Sequence, residues 1–275
     1  MKRFFIITNT SRDINGSVAA RVSAYLEKKG VDCETAPLFG KHGETIEIPA
    51  DTDACITLGG DGTILEAAHY ALTQEIPLFG VNLGKVGYLT EVGTEGLEAA
   101  LDRLLADDVV IEPRMMLEGR HSDGNTRVAL NDIVIARYGA VKMVRLNVTV
   151  NDIPLYSYNA DGVILASPTG STGYNMSAGG PIVEPTAQLM LLTPISAHTL
   201  TARSLVLSAD DRVVVEIADT GNAQHSQEAE ISFDAAHTMP FVKGDKIEIM
   251  RAKNTTNIVR LNRVRFLDVL HRKLW

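Results

Sequence analysis

The stretch CITLGGDGTILEAA, Cys55–Ala68, places a glycine-rich turn between an apolar run and a helix-like run. The apolar run predicts a buried strand, and the residues after the turn predict a helix. Glycines at such a junction leave backbone N–H groups uncovered, and the helix N-terminus adds a partial positive charge. The turn therefore suits a polyphosphate, or a sugar hydroxyl flanked by phosphates.

Asp61 lies in the middle of this turn. Open parallel sheets bind ligands at the carboxyl ends of their strands, so we expect Asp61 to project into that crevice. A carboxylate beside phosphates can accept a proton from an attacking hydroxyl or hold a magnesium ion. The spacing alone leaves open an ordinary turn in which Asp61 caps the following helix.

Outward from this turn, strand and helix patterns alternate through the first part of the chain. RFFIIT and IPLFGVNLG read as strands, whereas GSVAARVSAYLEKKG and EGLEAALDRLLAD read as amphipathic helices. This alternation predicts an α/β domain with a parallel sheet covered by helices. The closing run, LNRVRFLDVLHRKLW, returns to helical spacing, and we expect it to pack on this first domain.

From about residue 113 the chain changes to short alternating apolar runs separated by turns, which predict a β-rich domain. The run GPIVEPTAQLMLLTPI, residues 180–195, is the one stretch here that we expect to be helical. The predicted domains are therefore 1–112 plus about 252–275, carrying the glycine-rich turn, and 113–251.

Composition excludes several classes of protein. The net charge of −8 offers no global basic field for nucleic acid. No apolar run approaches the roughly 20 residues that cross a bilayer, and the N-terminal apolar run is too short for a signal peptide. We expect a cytoplasmic protein without membrane partners, in which Cys33 and Cys55 are buried and reduced.

Other nucleotide-binding and hydrolase motifs do not fit. In GVNLGKVG, Gly80 lies one position too close to Gly84 for a phosphate-binding loop of the Walker type, and a valine follows the lysine. The glycine spacing of dinucleotide-binding turns does not occur. Thr169 stands where a serine-hydrolase turn requires glycine, so Ser171 is not a predicted nucleophile.

Two further stretches are rich in polar groups. NADGVILASPTGSTGYNMSAGGPIV, residues 159–183, combines Asp161 with many hydroxyls and glycines, and Tyr174 could wall a base. The alternative is a long surface loop. In LNDIVIAR, Asn131 and Asp132 adjoin an apolar strand, where unsatisfied polar groups are costly. Ligand hydroxyls or amides could satisfy them, although a turn between strands remains the other interpretation.

Together, these stretches resemble the NAD kinases, a family that phosphorylates the adenosine ribose 2′-hydroxyl of NAD to give NADP. GGDGT, the Asn-acidic pair of LNDIVI, and DGVILASPTGSTGYNMSAGGP occur in the order and approximate spacing of that family. GVNLGKVGYLTE and FLDVLHRKLW resemble further segments of it. GGDGT alone is weak, since lipid kinases and phosphofructokinase carry similar loops, but the combination is specific and spans nearly the whole chain.

The resemblance implies a two-domain fold, α/β followed by β-rich, and a role for each matching residue. Asp61 would be the general base. Asn131 and Asp132 would hold the ribose or adenine side of NAD, and Asp161 would bind the nicotinamide end. The other implied NAD-binding positions are Gly62, Tyr88, Lys142, Asn159, Thr172, Gly173, Tyr174, Asn175, Met176 and Ser177. The implied phosphate-donor loop is Gly59, Gly60, Gly62 and Thr63.

The chain departs from the family pattern at a few positions. Asp132 stands where the family commonly has glutamate, and Gly173 stands where alanine is common, which we expect to loosen the turn. The family often has a glycine or glutamine near SFDAAH, so no contact is assigned to Ala235 or Ala236.

The resemblance further implies ATP or inorganic polyphosphate as donor, Mg²⁺ brought by the donor rather than by protein ligands, and a homodimer or homotetramer. Two rival interpretations stay open at this point. One is a lipid or other small-molecule kinase, which should carry an exposed apolar or membrane-docking surface. The other is a non-catalytic sensor that binds NAD and consumes no phosphate donor.

Overall fold

The computed structural model describes residues 1–38, 46–84, 87–139, 143–198, 201–218, 228–261 and 266–274. The chain clusters into two compact units, Met1–Arg114 with Asn254–Trp275, and Met115–Lys253. The domain bounds predicted from the sequence, 112 and 252, differ by two residues from the limits 114 and 254 of the first unit. Within the described ranges, no helix is long and apolar enough to cross a membrane.

The regular elements are numbered in chain order. The strands are β1 (Arg3–Asn9), β2 (Asp32–Leu38), β3 (Ala54–Gly59), β4 (Leu78–Asn82), β5 (Val92–Gly93), β6 (Val110–His121), β7 (Thr126–Ala129), β8 (Asp132–Arg137), β9 (Val144–Val150), β10 (Ile153–Ala160), β11 (Gly162–Ala166), β12 (Leu189–Ile195), β13 (Leu205–Ser208), β14 (Val213–Ile217), β15 (Glu228–Phe233), β16 (His237–Val242) and β17 (Lys246–Arg260). The helices are α1 (Ser17–Lys28), α2 (Asp61–Ala71), α3 (Leu97–Leu105), α4 (Tyr174–Ser177) and α5 (Phe266–Leu274). Single 3₁₀ turns cover Ile14–Gly16, Leu72–Gln74, Thr94–Gly96 and Thr169–Thr172.

The first unit is built on a parallel sheet. Its strands lie in the order β2, β1, β3, β4, and β5 also pairs with β4. Beyond β4 the end of β17 pairs through Ile258 with Leu78, again in parallel. Every residue of β3 and β4 is buried, as expected for central parallel strands with both faces covered. The carboxyl ends of β1, β3 and β4 therefore lie side by side at the same end of the sheet.

Helices cover this sheet as the alternating pattern predicts. Val22 and Leu26 of α1 and Leu101 of α3 belong to the same buried cluster as Ile56 and Phe79 of the sheet. Apolar side chains at these spacings form one stripe along each helix, so burial of that stripe stabilises helix and sheet together. Helix α5 belongs to the same unit.

Helix α1 begins at a residue with no side chain to cap it, and a nearby acid takes that role. Gly16 is the N-cap, and the carboxylate of buried Asp13 accepts the N–H groups of Val18 and Ala19, each at 2.9 Å. The Thr8 hydroxyl at the end of β1 donates to the same carboxylate at 3.0 Å. Asp13 therefore fixes the helix start to the end of the strand.

The second unit consists mainly of antiparallel sheet. One sheet has the order β13, β12, β11, β8, β15, β16. In the other, β10, β9, β14 and the start of β17 are neighbours. Alternate residues of both, such as Ile135 and Leu165 from the first and Leu146 and Val215 from the second, form one buried cluster. This is the pattern of two sheets packed face to face.

The helix expected over residues 180–195 is wrong, because Leu189–Ile195 forms strand β12. Met190 and Leu192 belong to the core between the sheets, whereas Leu191 belongs to a separate cluster on the opposite face of the strand. A strand buried on both faces has a continuous apolar run without visible alternation, which periodicity cannot distinguish from a buried helix. The fold class otherwise agrees with the prediction, α/β followed by β-rich.

We predict that Asp13→Ala lowers the free energy of unfolding by about 1–3 kcal/mol, because the first turn of α1 loses its acceptor and Thr8 loses its partner. Urea unfolding measured by circular dichroism tests this. Asp32→Ala, at an exposed carboxylate on β2, is the control. Equal unfolding free energies for the Asp13 variant and the native chain would contradict the capping role.

Candidate active site

The Asp61 carboxylate collects backbone N–H groups from a turn that lies 27–29 residues later. Tyr88 donates to Oδ2 at 2.6 Å, while Leu89 and Thr90 donate to Oδ1 at 3.1 and 3.3 Å. The Asp61 side chain therefore does not cap its own helix, because its carboxylate accepts N–H groups from this later turn instead. A carboxylate oxygen has two lone pairs, so Oδ1 is saturated and Oδ2 keeps one acceptor position.

The turn that faces Asp61 is built for this approach. A Cβ at Gly87 would overlap the Asp61 carboxylate, so glycine is required there by space. The Thr90 hydroxyl accepts the Gly87 N–H and the Asn82 side-chain amide, both at 3.0 Å. Asn82 is the buried last residue of β4, so this network ties the turn to the carboxyl end of the sheet.

The glycines of GGDGT are also explained by close packing. A Cβ at Gly59 would overlap the side chain of Thr63, and the Thr63 hydroxyl accepts the Gly60 N–H at 3.3 Å. Thr63 is buried and also accepts from the Asn9 amide at 3.4 Å. A Cβ at Gly62 would meet nothing within 4 Å, so the backbone beside Asp61 is open. The Thr63 and Ile64 N–H groups donate to the Gly60 carbonyl at 2.9 and 3.3 Å, so the N–H groups of Asp61 and Gly62 are those that the start of α2 offers to an anion.

Tyr88 is held from several sides within the first unit. The Lys273 ammonium of α5 lies 4.4 Å from the centroid of the Tyr88 ring. The Tyr88 carbonyl accepts a hydrogen bond from Arg260 at 3.3 Å. Arg260 also donates to the Leu89 carbonyl and pairs with Glu91. Burial and, secondarily, the charge of Asp61 raise the pKa of Tyr88, which keeps its hydroxyl protonated at neutral pH.

A second acid-centred turn lies in the other unit. The Asp234 carboxylate accepts three successive backbone N–H groups, those of Leu130 and Asn131 at 2.7 Å and that of Asp132 at 3.1 Å. Asp234 is buried, and both it and Ala235 have positive φ angles. Asn131 therefore lies in a turn, immediately before β8 begins at Asp132, rather than within the strand.

Asp132 is the strongly perturbed acid of this unit. Its side chain is buried, and desolvation together with the nearby Asp234 charge raises its pKa to about 7, against a partial opposing effect from the Tyr174 N–H. A Cβ at Gly173 would lie 3.2 Å from the Gly170 carbonyl and 3.6 Å from Asp132 Oδ2. An alanine at this position, which the family resemblance leads us to expect, would therefore require a small shift of the Gly170 carbonyl.

The glycine- and hydroxyl-rich stretch is partly internal scaffolding. The fully buried Asn175 amide donates to the Ser171 and Pro181 carbonyls at 3.1 and 3.0 Å, and its oxygen accepts from Thr193 at 2.7 Å. A Cβ at Gly180 would overlap it. The Tyr174 ring, in contrast, is 46 % exposed, so its face is open to a ligand.

The remaining predicted residues are not all drawn into one cluster. Asp161 pairs with Arg137, with Nε at 2.7 Å from Oδ1, and both are partly exposed. Asn159 is exposed on β10, Ser177 is exposed, and Thr172 and Met176 are half-buried. Lys142 lies outside the described residues. The structure thus groups Asn131, Asp132, Gly173 and Tyr174, which are joined by contacts within the second unit.

Asp234 was missed by sequence reasoning, which considered only its neighbours in SFDAAH. The sequence does show that Asp234 follows a strand-like run and precedes two small residues, which is typical of a turn. Its partners are about a hundred residues away, so spacing could not reveal them. Within the described part of the chain, no three His, Cys, Asp or Glu side chains group as a metal-ligand set.

Comparison with known protein families gives a match in each of the two units. Residues 12–109 match the ATP-NAD kinase N-terminal domain, and residues 130–261 match the ATP-NAD kinase C-terminal domain. An NAD kinase of Agathobacter rectalis is 44 % identical over 280 residues, which cover 100 % of this chain and 99 % of that protein. The chain therefore belongs to the ATP-NAD kinase family, and the resemblance found in the sequence is confirmed.

Solved structures show the same fold. An NAD kinase from Archaeoglobus fulgidus, solved in complex with ATP, has a TM-score of 0.80 and 25 % identity, with 98 % of each chain covered. Yeast NADH kinase, solved with NADH, has a TM-score of 0.85 and 23 % identity, covering 100 % of this chain and 87 % of that one. The second likeness concerns the fold alone.

We predict that Asp132→Asn changes the pH dependence of stability. An acid whose folded pKa is raised stabilises the fold below its unfolded pKa of about 4, and that contribution is lost as the pH rises through about 7. From about pH 5 to about pH 8, the asparagine variant should gain about 1–3 kcal/mol of unfolding free energy relative to the native chain.

Urea unfolding at the two pH values provides the measurement. Asp32→Asn, at an exposed carboxylate, corrects for the general effect of losing an acid. An Asp132→Asn profile parallel to that of the native chain would show that the acid is not perturbed.

Proposed function

We propose that this chain transfers the γ-phosphoryl group of ATP to the adenosine ribose 2′-hydroxyl of NAD, giving NADP and ADP. The observation that carries the proposal is the Asp61 carboxylate, fixed by three N–H donors at the glycine-rich turn of a chain that belongs to the ATP-NAD kinase family. The A. fulgidus complex with ATP supports ATP as the donor.

The reaction needs a proton acceptor and a fixed geometry. The 2′-oxygen forms a bond to the γ-phosphorus as the bond to the β,γ-bridging oxygen breaks, and the hydroxyl proton passes to Asp61. The remaining acceptor position on Oδ2 is the one available for that proton, because three backbone donors occupy the others. Positioning and charge neutralisation supply most of the rate in phosphoryl transfer.

The NAD-binding residues remain those that the family resemblance assigns. Asn131, Asp132 and the exposed Tyr174 ring would hold the adenosine, and Tyr88 would contact it near the reacting sugar. Asp161 would bind the nicotinamide end, where Arg137 already fixes one of its oxygens. The other assigned positions keep their proposed roles: Gly62, Lys142, Asn159, Thr172, Gly173, Asn175, Met176 and Ser177.

A divalent ion, which we take to be Mg²⁺, accompanies the donor. Mg²⁺ is commonly held by substrate phosphates and water with few protein ligands, and when bound it neutralises phosphate charge. Asp61 Oδ2 has one acceptor position, which the mechanism assigns to the hydroxyl, so the phosphates would hold the ion. Polyphosphate as the alternative donor, homo-oligomer formation and a cytoplasmic location stay predictions from the sequence.

The two rivals predict different behaviour in a direct assay. Purified protein with Mg²⁺, ATP and NAD is assayed for NADP through an NADP-specific dehydrogenase. A non-catalytic sensor would bind NAD without consuming ATP. A lipid kinase would phosphorylate a lipid and leave NAD unchanged. Formation of NADP with matching ADP supports the proposal against both.

We predict that Asp61→Asn lowers turnover by about 10²- to 10⁴-fold, the usual contribution of a general base. NAD affinity, measured by calorimetry, should stay near the native value. A near-native rate would remove Asp61 from the chemistry.

Asparagine offers a single acceptor oxygen and its NH₂ group faces backbone donors, so the Asp61 variant also disturbs the turn at residues 88–90. Thr90→Val is the matched control, because it removes the hydroxyl that braces this turn and leaves the Asp61 carboxylate and its backbone donors in the chain. The loss in Asp61→Asn should exceed the loss in Thr90→Val. Equal losses would assign the effect to the turn instead of the base.

We predict separately that Asp132→Ala weakens NAD binding by roughly tenfold or more, as expected when a buried hydrogen-bonding partner is lost. Calorimetric titration with NAD measures the dissociation constant. Asp152→Ala, at an exposed acid of the same unit that pairs with Arg212, is the control. An unchanged dissociation constant would contradict the role assigned to Asp132.

A further inference from the structure

Two peptide groups of the turn that faces Asp61 lie between its carboxylate and the Arg260 guanidinium. The Tyr88 carbonyl and the Leu89 N–H belong to one planar peptide group, and the Leu89 carbonyl and the Thr90 N–H belong to the next. Both N–H groups donate to Asp61 Oδ1, at 3.1 and 3.3 Å, and both carbonyls accept from Arg260, each at 3.3 Å. Each peptide group is therefore held at both ends, by the acid on one side and by the cation on the other.

The Arg260 side chain is itself fixed by two acids of the first unit. Its Nη1 lies 3.1 Å from Glu91 Oε2, and its Nε lies 3.6 Å from Glu112 Oε1. The other Glu91 oxygen accepts the Leu261 N–H at 3.2 Å, so Glu91 holds both the backbone and the side chain of this segment. The Arg260 and Glu91 side chains are only 16 % and 9 % exposed, and solvent therefore screens their attraction less than at the surface.

A cation on the carbonyl side changes the donors on the other side of each peptide group. An accepted hydrogen bond polarises the carbonyl and makes the N–H of the same peptide group a stronger donor, because bonds in such a chain reinforce one another. The two Nη atoms of Arg260 reach two successive carbonyls, and the planar guanidinium thereby fixes the tilt of both peptide groups. The direction of the two N–H groups at Asp61 Oδ1 therefore depends on Arg260.

We propose that Arg260 is a positioning residue for proton transfer, which acts on the Asp61 carboxylate through the two peptide groups between them. With Oδ1 held by donors of fixed direction, the remaining acceptor position on Oδ2 keeps one orientation toward the hydroxyl that loses its proton. A displacement of about 1 Å at a reacting group can cost about 10²-fold in rate. The role rests on the phosphotransfer function proposed above and adds to it a residue from the segment that follows the β-rich unit.

Steady-state kinetics of Arg260→Ala test this role. Turnover should fall by about 10- to 100-fold, because the carboxylate remains but loses its fixed orientation. KM for ATP and KM for NAD should change by less than about threefold, since the Tyr88 ring keeps its contact with Lys273. Arg260→Lys keeps the charge without the planar pair of donors and should recover part of the turnover. Native turnover in Arg260→Ala, or a loss that appears only in KM, would overturn the proposal.

Arg103→Ala is the matched control. The Arg103 guanidinium of α3 donates to the Leu261 carbonyl, next to Arg260, and pairs with Asp108. Its loss therefore disturbs the same chain segment and leaves the Arg260 side chain in place. Turnover of Arg103→Ala should stay near the native value. A loss equal to that of Arg260→Ala would assign the effect to the segment instead of the guanidinium and would overturn the proposal.

A double variant separates positioning of Asp61 from a general structural role. If Arg260 acts through the Asp61 carboxylate, adding Arg260→Ala to Asp61→Asn should lower turnover by less than about threefold further. An effect that is independent of the carboxylate would instead multiply the two single losses. Multiplied losses would therefore overturn the proposal.

Hydrogen exchange gives a measurement that does not depend on turnover. Amide exchange of residues 88–91, followed by mass spectrometry, should be faster in Arg260→Ala than in the native chain and in Arg103→Ala. Unchanged exchange would contradict the ordering of these N–H groups by Arg260. If thermal unfolding shows that Arg260→Ala is not folded, Arg260→Lys replaces it in each comparison, with a smaller loss expected and native turnover again overturning the proposal.

These results are distinguishable from failure of the proposed function. Native turnover in Arg260→Ala, with NADP formed by the native chain, would overturn the role of Arg260 alone. Absence of NADP formation by the native chain would remove the phosphotransfer function and with it the catalytic role of Arg260, whereas the exchange comparison would still decide whether Arg260 orders the turn at Asp61.

Discussion

Three peptide N–H groups directed at one carboxylate form the constraint on which the first unit depends. Without Asp61, the donors at residues 88–90 would lose their acceptor, and without that turn the carboxylate could rotate away from the end of the sheet. Gly87 permits the approach, and Arg260 holds the same turn through its carbonyls. The geometry proposed for proton transfer and the local fold are therefore a single arrangement, in which backbone hydrogen bonds orient the Asp61 carboxylate.

The second unit also contains an aspartate that accepts three backbone N–H groups, but there the charge of the aspartate affects a second buried acid. Asp234 gathers three successive N–H groups and thereby shapes the turn that presents Asn131 and Asp132. Its charge also lies near the buried Asp132, and that proximity adds to desolvation in raising the pKa of Asp132. Asp234 thus has a structural role, because its carboxylate accepts the N–H groups that form the turn. The neighbouring Asp132 has a pKa of about 7, so protonated and ionised forms are both populated at neutral pH.

Sequence patterns predicted the structure correctly where neighbouring residues alone determine it. Alternating strands and helices, and the strand–glycine–helix junction at Asp61, predicted the parallel sheet and its turn. They failed at Leu189–Ile195, because a strand buried on both faces loses its alternation. They also could not identify Asp234 as the acid that shapes the turn at residues 130–132, since its partners are about a hundred residues away. Long-range pairing, rather than composition, determines its position.

The first unit is completed by residues that follow the β-rich unit in the chain, and this has a consequence for its biosynthesis. Residues up to 114 emerge from the ribosome first, but Ile258, which extends the sheet at β4, and Arg260, which holds the turn at Asp61, are translated after the β-rich unit. The nascent N-terminal part therefore waits with an unpaired sheet edge while the β-rich unit is synthesised and can fold. The turn at residues 88–90 therefore gains its contacts with Arg260 only after the β-rich unit has been synthesised, and a product truncated before residue 254 would lack them.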